Sequence, residues 1–188
     1  CGLLDQMTSS VGSFVEIDFA DPANPVIEKL DFNFASCGYA LCIVDTGGSH
    51  SDLTDEYAAV RKEMESVAEY LGKSVLREVD EDEFMKNIAD IRSSCGDRAV
   101  LRAMHFYGDN ARVEKQAAAL KAGDFETFKK YIIESGRSSY MYNQNVYSCK
   151  KASEQPVSLA LSLSEKLLDG CGAWRVHGGG FAGTIQAF

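Results

Sequence analysis

The chain has 188 residues, 45% of them hydrophobic and 25% charged, with a formal net charge of −9. That is an ordinary globular composition, long enough to take about 70% of the unfolded surface out of water. The acidic balance argues against nucleic acid or an anionic membrane as partner, and no apolar run approaches the roughly 20 residues that span a bilayer.

Ser13–Phe19 is rich in β-branched and aromatic residues and reads as a strand. Proline and asparagine in Asp21–Pro25 mark a turn. From Ile27 to Phe34 the pattern alternates, with Leu30, Phe32 and Phe34 on one side, as in a half-buried strand. Tyr39–Asp45 is a continuous apolar run, the signature of a central strand, and Asp45–His50 leaves it as a flexible loop.

Tyr57, Val60, Met64, Val67, Ala68 and Leu71 fall on one face of a long helix ended by Gly72, with Lys62 and Glu63 on its wet side. Asp80 and Glu83 form a capping-box pair opening a short helix that turns Phe84, Ile88 and Ile91 inward. The acidic cluster there is therefore helix-start chemistry rather than a metal site. Ala99–Phe106 continues as helix, Gly108 to Asn110 breaks it, and Asn110 caps a further helix closed by Gly123. Asp124 caps the next, with Phe125, Phe128 and Ile132 inward and Gly136 at its end. Ser138–Ser148 shows no clear period and reads as a loop or an ill-formed helix. Pro156 starts a very apolar, hence buried, helix through Leu168, with Gly170 as its stop. Ala173–His177 and Gly183–Phe188 read as strands around a tight loop at Gly178–Gly180. The order of elements is α+β: a mostly antiparallel sheet with helices packed on one face.

The six cysteines, at 1, 37, 42, 95, 149 and 171, include no C-x-x-C pair and lie near no histidine cluster, so zinc is not indicated. With this much apolar sequence, buried reduced thiols fit better than disulfides. No basic-then-apolar leader stands at the start, and the expected location is the cytoplasm. The chain opens without methionine inside a motif and stops within a predicted strand, so a piece of a longer protein is expected.

Two stretches carry candidate chemistry. The first, CGLLDQ at 1–6, places Asp5 behind Gly2 and two leucines. A carboxylate walled by leucine can act as a tuned base, and Gly2 lets backbone approach a ligand; the plainer alternative is that Asp5 caps a helix or ends a turn. The second, RVHGGGFAG at 175–183, is too short for a phosphate-binding P-loop and lacks the spacing of a dinucleotide fingerprint. Three successive glycines suit backbone lying against a ligand or another domain, and the plainer alternative is a hairpin.

Together, in this order, these stretches resemble the second half of the galactokinases, in the GHMP family of small-molecule kinases. The resemblance covers essentially the whole chain and includes Leu76–Val79 (LREV) among its specific parts. It implies a GHMP C-terminal domain of ferredoxin-like type at 13–188, preceded at 1–12 by the tail end of an N-terminal catalytic domain. It implies that Asp5 is the catalytic group, accepting or steering the proton of the C1 hydroxyl of galactose, with Gly2 and Tyr57 also touching the sugar. Tyr57 stands in DEYAAVR at 55–61, matching the family's [SD]-x-Y-x-x-x-R; without the family it reads as the first core residue of its helix. Gly178, Gly179, Gly180 and Gly183 would form the loop that closes the active site.

The implied substrates are ATP and galactose or a related sugar, such as N-acetylgalactosamine, arabinose or a uronic acid. Mg²⁺ is implied too, with its ligands and the phosphate loop in the missing N-terminal domain, so the chain alone is expected to be inactive. A non-catalytic galactose- and ATP-binding regulator, or a bare scaffold, is the alternative of another class. The chain departs from the family at His177 and Ala182, at Gly47–Ser49, and at Gly136 and Ser139 of the ESGRSS segment. Those departures leave His50, His177 and Arg137 unassigned, whereas His105, beside Met104 and Phe106, reads as a satisfied structural histidine.

Overall fold

The computed structural model describes residues 4–21, 23–48 and 53–188. Gly2 and His50, both singled out in the sequence, lie outside the described residues. A short helix, α1 (Leu4–Val11), is followed by the hairpin β1 (Phe14–Asp18) and β2 (Val26–Leu30). Gly12 and Ser13, with φ of 74° and 65°, make the left-handed turn between α1 and β1. Asp21 closes the hairpin turn by accepting from the Ala23 N–H at 2.9 Å. β2 ends four residues earlier than the alternation suggested, and Phe34–Ser36 is a 3₁₀ turn. The inward set Leu30, Phe32 and Phe34 nevertheless faces the core.

A second sheet has the order β3 (Cys42–Asp45), β5 (Thr184–Ala187), β4 (Trp174–Val176), all antiparallel. The apolar run before Asp45 is therefore an edge strand, and all four residues of β3 are exposed. A continuous apolar run cannot by itself separate a covered strand from an edge whose faces are open. The central place belongs to β5, whose Ile185 and Ala187 are buried.

The helices are α2 (Thr54–Tyr70), α3 (Glu81–Lys86), α4 (Ile88–Cys95), α5 (Asp97–Lys121), α6 (Phe125–Ser138) and α7 (Pro156–Leu168). Asp80 caps α3, accepting from the N–H groups of Asp82 and Glu83 at 2.9 and 3.2 Å, as its spacing implied. Asp124 likewise caps α6, accepting from the Thr127 N–H at 3.0 Å.

The predicted break at Gly108–Asn110 does not occur, because α5 runs unbroken through it. One interior glycine costs a helix only about 1 kcal/mol. Here the next residue, Asp109, is held by Arg112 at 2.8 Å and by Ser135 at 2.7 Å, contacts that favour continuing. Gly136 likewise does not end α6; the helix continues to Ser138 and into a π turn at Ser139–Asn143. Its small size instead admits β4, since a Cβ there would come within 2.8 Å of the Arg175 Cβ.

Among the described residues three buried clusters hold these elements together. Val67, Phe84, Ile91 and Ala103 join α2, α3, α4 and the start of α5. Leu30, Leu120, Phe125, Phe128 and Ile132 join the first hairpin to α5 and α6, with Phe14, Phe32, Phe34 and Phe188 packed on them. Val146, Val157, Leu161, Trp174, Val176 and Ile185 seat α7 and the 143–148 segment on the second sheet.

Only one face of α7 meets that sheet. Leu159, Leu163 and Leu167, on the opposite face, are 62%, 51% and 74% exposed, which corrects the expectation of a fully buried helix. Glu63 also differs from expectation. Rather than facing water it accepts from the wholly buried Arg102 at 2.8 Å and from Arg98 Nη2 at 2.5 Å. Among the described residues no helix is long and apolar enough to cross a membrane.

Candidate active site

The glycine-rich loop closes the hairpin between β4 and β5, so the plainer reading of that stretch describes its geometry. Its glycines have distinct jobs. Gly178, Gly180 and Gly183 have φ of 69°, 80° and 87°, in the left-handed region that side chains resist. At Gly179 and Gly180 the constraint is space. A Cβ on Gly179 would lie 2.7 Å from the Tyr57 ring, and one on Gly180 would lie 1.8 Å from the Asn145 carbonyl oxygen.

Tyr57, in the first turns of α2, donates its phenol hydrogen to the Gly180 carbonyl at 2.8 Å. Its ring meets Phe181 edge-on, with centroids 5.4 Å apart. Burial raises the phenol's pKa, so the hydroxyl stays protonated and available as a donor. On the far side of the loop Asn145 Nδ2 donates to the Gly179 carbonyl at 3.1 Å, and the Phe181 N–H donates to the Asn145 carbonyl. Thr46, just past β3, donates from both its N–H and its hydroxyl to the Gly183 carbonyl, at 2.9 and 2.6 Å. The fold thus brings together Tyr57 and the glycine loop, 123 residues apart.

Asp5 is exposed in the first turn of α1, where a carboxylate complements the helix dipole, and it has no bonded partner among the described residues. In the DEYAAVR segment Arg61 points outward and, among the described residues, pairs with Glu65 at 2.6 Å. Within LREV, Leu76 is buried and Arg77 donates to Asp18 at 3.0 Å, tying the end of β1 to the turn after α2.

The remaining candidates have structural partners. His105 is buried with Nδ1 against the Ser138 hydroxyl at 2.9 Å. Burial depresses its pKa, only partly countered by Asp109. His177 is exposed and meets the Thr184 hydroxyl at 3.0 Å. Arg137 is exposed and pairs with Glu165 at 3.3 Å.

The sequence reading missed two groups. One is the half-buried chain Arg112–Asp109–Ser135–Arg175, in which Arg175 donates to the Ser135 hydroxyl at 2.7 Å. The other is the segment 143–148, which crosses behind the loop. Arg102 Nε donates to the Asn143 carbonyl at 3.1 Å, and the Ser148 hydroxyl donates to the buried Glu56 at 2.6 Å. The asparagines and serines of that segment were visible, but their partners are up to 92 residues away.

Among the described residues no three His, Cys, Asp or Glu side chains gather as a metal site. The described residues do not fit a Mg²⁺ centre.

No protein-family model matches the chain. Curated galactokinases match it from end to end. The one from Thermotoga petrophila is 31% identical over 185 residues, 98% of this chain and 48% of its own. The human one is 32% identical over 183 residues, 97% of this chain and 43% of its own. The chain therefore spans about half the length of the curated relatives it matches. Among solved structures, Lactococcus lactis galactokinase in complex with galactose superimposes with a TM-score of 0.65, covering 92% of this chain and 42% of that one at 21% identity. That likeness extends to the fold the α+β arrangement expected from the order of elements. Along nearly its whole length, the chain is similar to the C-terminal portion of galactokinases, the family its two end motifs resemble.

Proposed function

We propose that the chain is the C-terminal part of an ATP-dependent sugar 1-kinase that transfers the γ-phosphoryl group of Mg-ATP to the C1 hydroxyl of α-D-galactose. The observation that carries this reading is its end-to-end likeness to galactokinases at 31–32% identity. The Tyr57–Gly180 hydrogen bond supports it, because it joins two segments that the resemblance implies lie at the active site. In this reading residues 1–12 close an N-terminal catalytic domain and residues 13–188 form the C-terminal domain. The nucleotide and Mg²⁺ are held by the preceding part of the parent protein.

Transfer needs the sugar hydroxyl aligned with the γ-phosphorus and a group to take its proton as the new O–P bond forms and ADP leaves. Asp5 is that group in this reading: its carboxylate accepts or steers the C1 hydroxyl proton. An anomeric hydroxyl is more acidic than an ordinary alcohol, so a carboxylate is a sufficient partner. Gly2 approaches the sugar through backbone, and Tyr57 lends its phenol oxygen, which can accept from a sugar hydroxyl while donating to Gly180. The glycine loop lets main chain close on the site.

The test is transfer of labelled phosphate from ATP to galactose by the full-length parent and by this chain alone. Turnover by the parent and none by the chain is expected. Binding of galactose without turnover by the parent would replace the enzyme with a sugar sensor. Turnover with N-acetylgalactosamine, arabinose or a uronic acid, but not galactose, would move the assignment to another sugar 1-kinase.

A further inference from the structure

We propose that Asn145 is the positioning residue of the glycine turn, holding Gly179, Gly180 and Phe181 against Tyr57; its effect on turnover rests on the sugar-kinase reading above. Asn145 is 4% exposed and follows Gln144, whose φ of 55° turns the chain toward the β4–β5 hairpin. Its carbonyl receives the Phe181 N–H, and its side-chain amide donates to the Gly179 carbonyl at 3.1 Å. Tyr57 takes the next carbonyl, that of Gly180, from the other side at 2.8 Å. Two consecutive carbonyls are therefore each held by a side-chain donor from a different segment.

Phe181 shows that the turn is held rather than relaxed. Its φ is 58°, a region a phenylalanine enters only when its surroundings impose it. Those surroundings are the bond to Asn145, the edge-on contact with Tyr57 and a site only 4% exposed. Asn145 can impose this because its own segment is pinned at both ends, by Arg102 on the Asn143 carbonyl and by Ser148 on Glu56.

The oxygen of the Asn145 side-chain amide, Oδ1, is buried and has no hydrogen-bond partner among the described residues. A leucine would fill comparable space without stranding an acceptor. What the asparagine adds is its donor, and the turn uses it.

Asn145→Asp tests this directly, since it keeps the shape and sets an acceptor against the Gly179 carbonyl. The first readout is amide hydrogen exchange in the 188-residue chain at pH 7. Exchange at Gly180–Gly183 is expected to rise tenfold or more over the wild type, while core amides of α2 and α5 hold their rates. At pH 4 the protonated carboxyl can donate to Gly179, and the excess over the wild type at that pH should fall by at least half. Unchanged exchange in the turn, or an equal rise throughout the chain, would overturn the positioning role. If the aspartate variant does not fold, Asn145→Ala is judged by the same pattern at pH 7.

The second readout is the full-length enzyme, where kcat should fall about tenfold with KM for galactose within twofold. A loosened turn with normal kcat would overturn the link to the reaction. A wild-type parent without turnover would sink the kinase reading instead, leaving the exchange result to decide on Asn145.

Discussion

The Tyr57 hydroxyl lies 2.8 Å from the carbonyl oxygen of Gly180 and donates to it. Tyr57→Phe removes that bond and keeps the ring against Gly179 and Phe181. The isolated chain should lose about 0.5–1.5 kcal/mol, with the Gly180 oxygen left short of a donor. Urea denaturation measures this, and an unchanged midpoint would mean that the bond contributes nothing in solution.

Gly178 and Gly180 both have left-handed backbone, but only Gly180 is crowded. Gly178→Ala meets open space, so its cost is the backbone strain alone, about 1 kcal/mol. Gly180→Ala would drive a methyl into the Asn145 carbonyl, 1.8 Å away, and should cost roughly 2–4 kcal/mol. Thermal unfolding of the pair separates strain from collision; equal losses would show that the loop relaxes freely.

Glu63 is the carboxylate partner of the buried Arg102. Burial pulls the Arg102 guanidinium below its ordinary pKa, and Glu63 pulls it back. Glu63→Gln takes away the carboxylate to which the buried guanidinium donates, leaving the Glu56 charge as its counterweight, and should destabilise by about 1–3 kcal/mol. Differential calorimetry at neutral pH reads this loss. A change below about 0.5 kcal/mol would show the arginine to be adequately solvated without its partner.

His105 is buried with a depressed pKa, so the folded chain binds its proton less readily than the unfolded one. The stability it protects is fully present above the unfolded value of about 6.5 and is lost as pH falls toward the folded value. Comparing unfolding free energies of wild type and His105→Gln between pH 7.5 and 5 isolates the effect. The wild type should lose more stability over that range, and parallel curves would contradict the assignment.

Asp5 is exposed, so Asp5→Ala should leave stability within about 0.5 kcal/mol while abolishing galactose phosphorylation by the full-length parent. Unchanged turnover would remove Asp5 from the mechanism.

Local signals in the sequence located much of the fold. The caps at Asp80 and Asp124, the inward phenylalanines of α6 and the proline start of α7 each act within one or two turns of backbone. They need nothing from the rest of the chain. Failures came where distant partners decide. Gly108 reads as a breaker until Ser135 and Arg112 engage Asp109. The apolar runs of β3 and α7 carry no sign of which face a neighbour will cover. At the site, Tyr57 and the glycines were visible as residue types and motifs. Asn145 was not, because its meaning lies in a hairpin 34 residues downstream.

The unbroken course of α5 has a mechanical consequence. At about 1.5 Å per residue its 25 residues form a rod of roughly 37 Å, rooted at one end among Val67, Phe84 and Ile91 and at the other among the phenylalanines around Leu120. A hinge at Gly108 would have let those two regions melt separately. With one stiff spar driven through both, loosening either end loads the other, and the two regions should come apart as one.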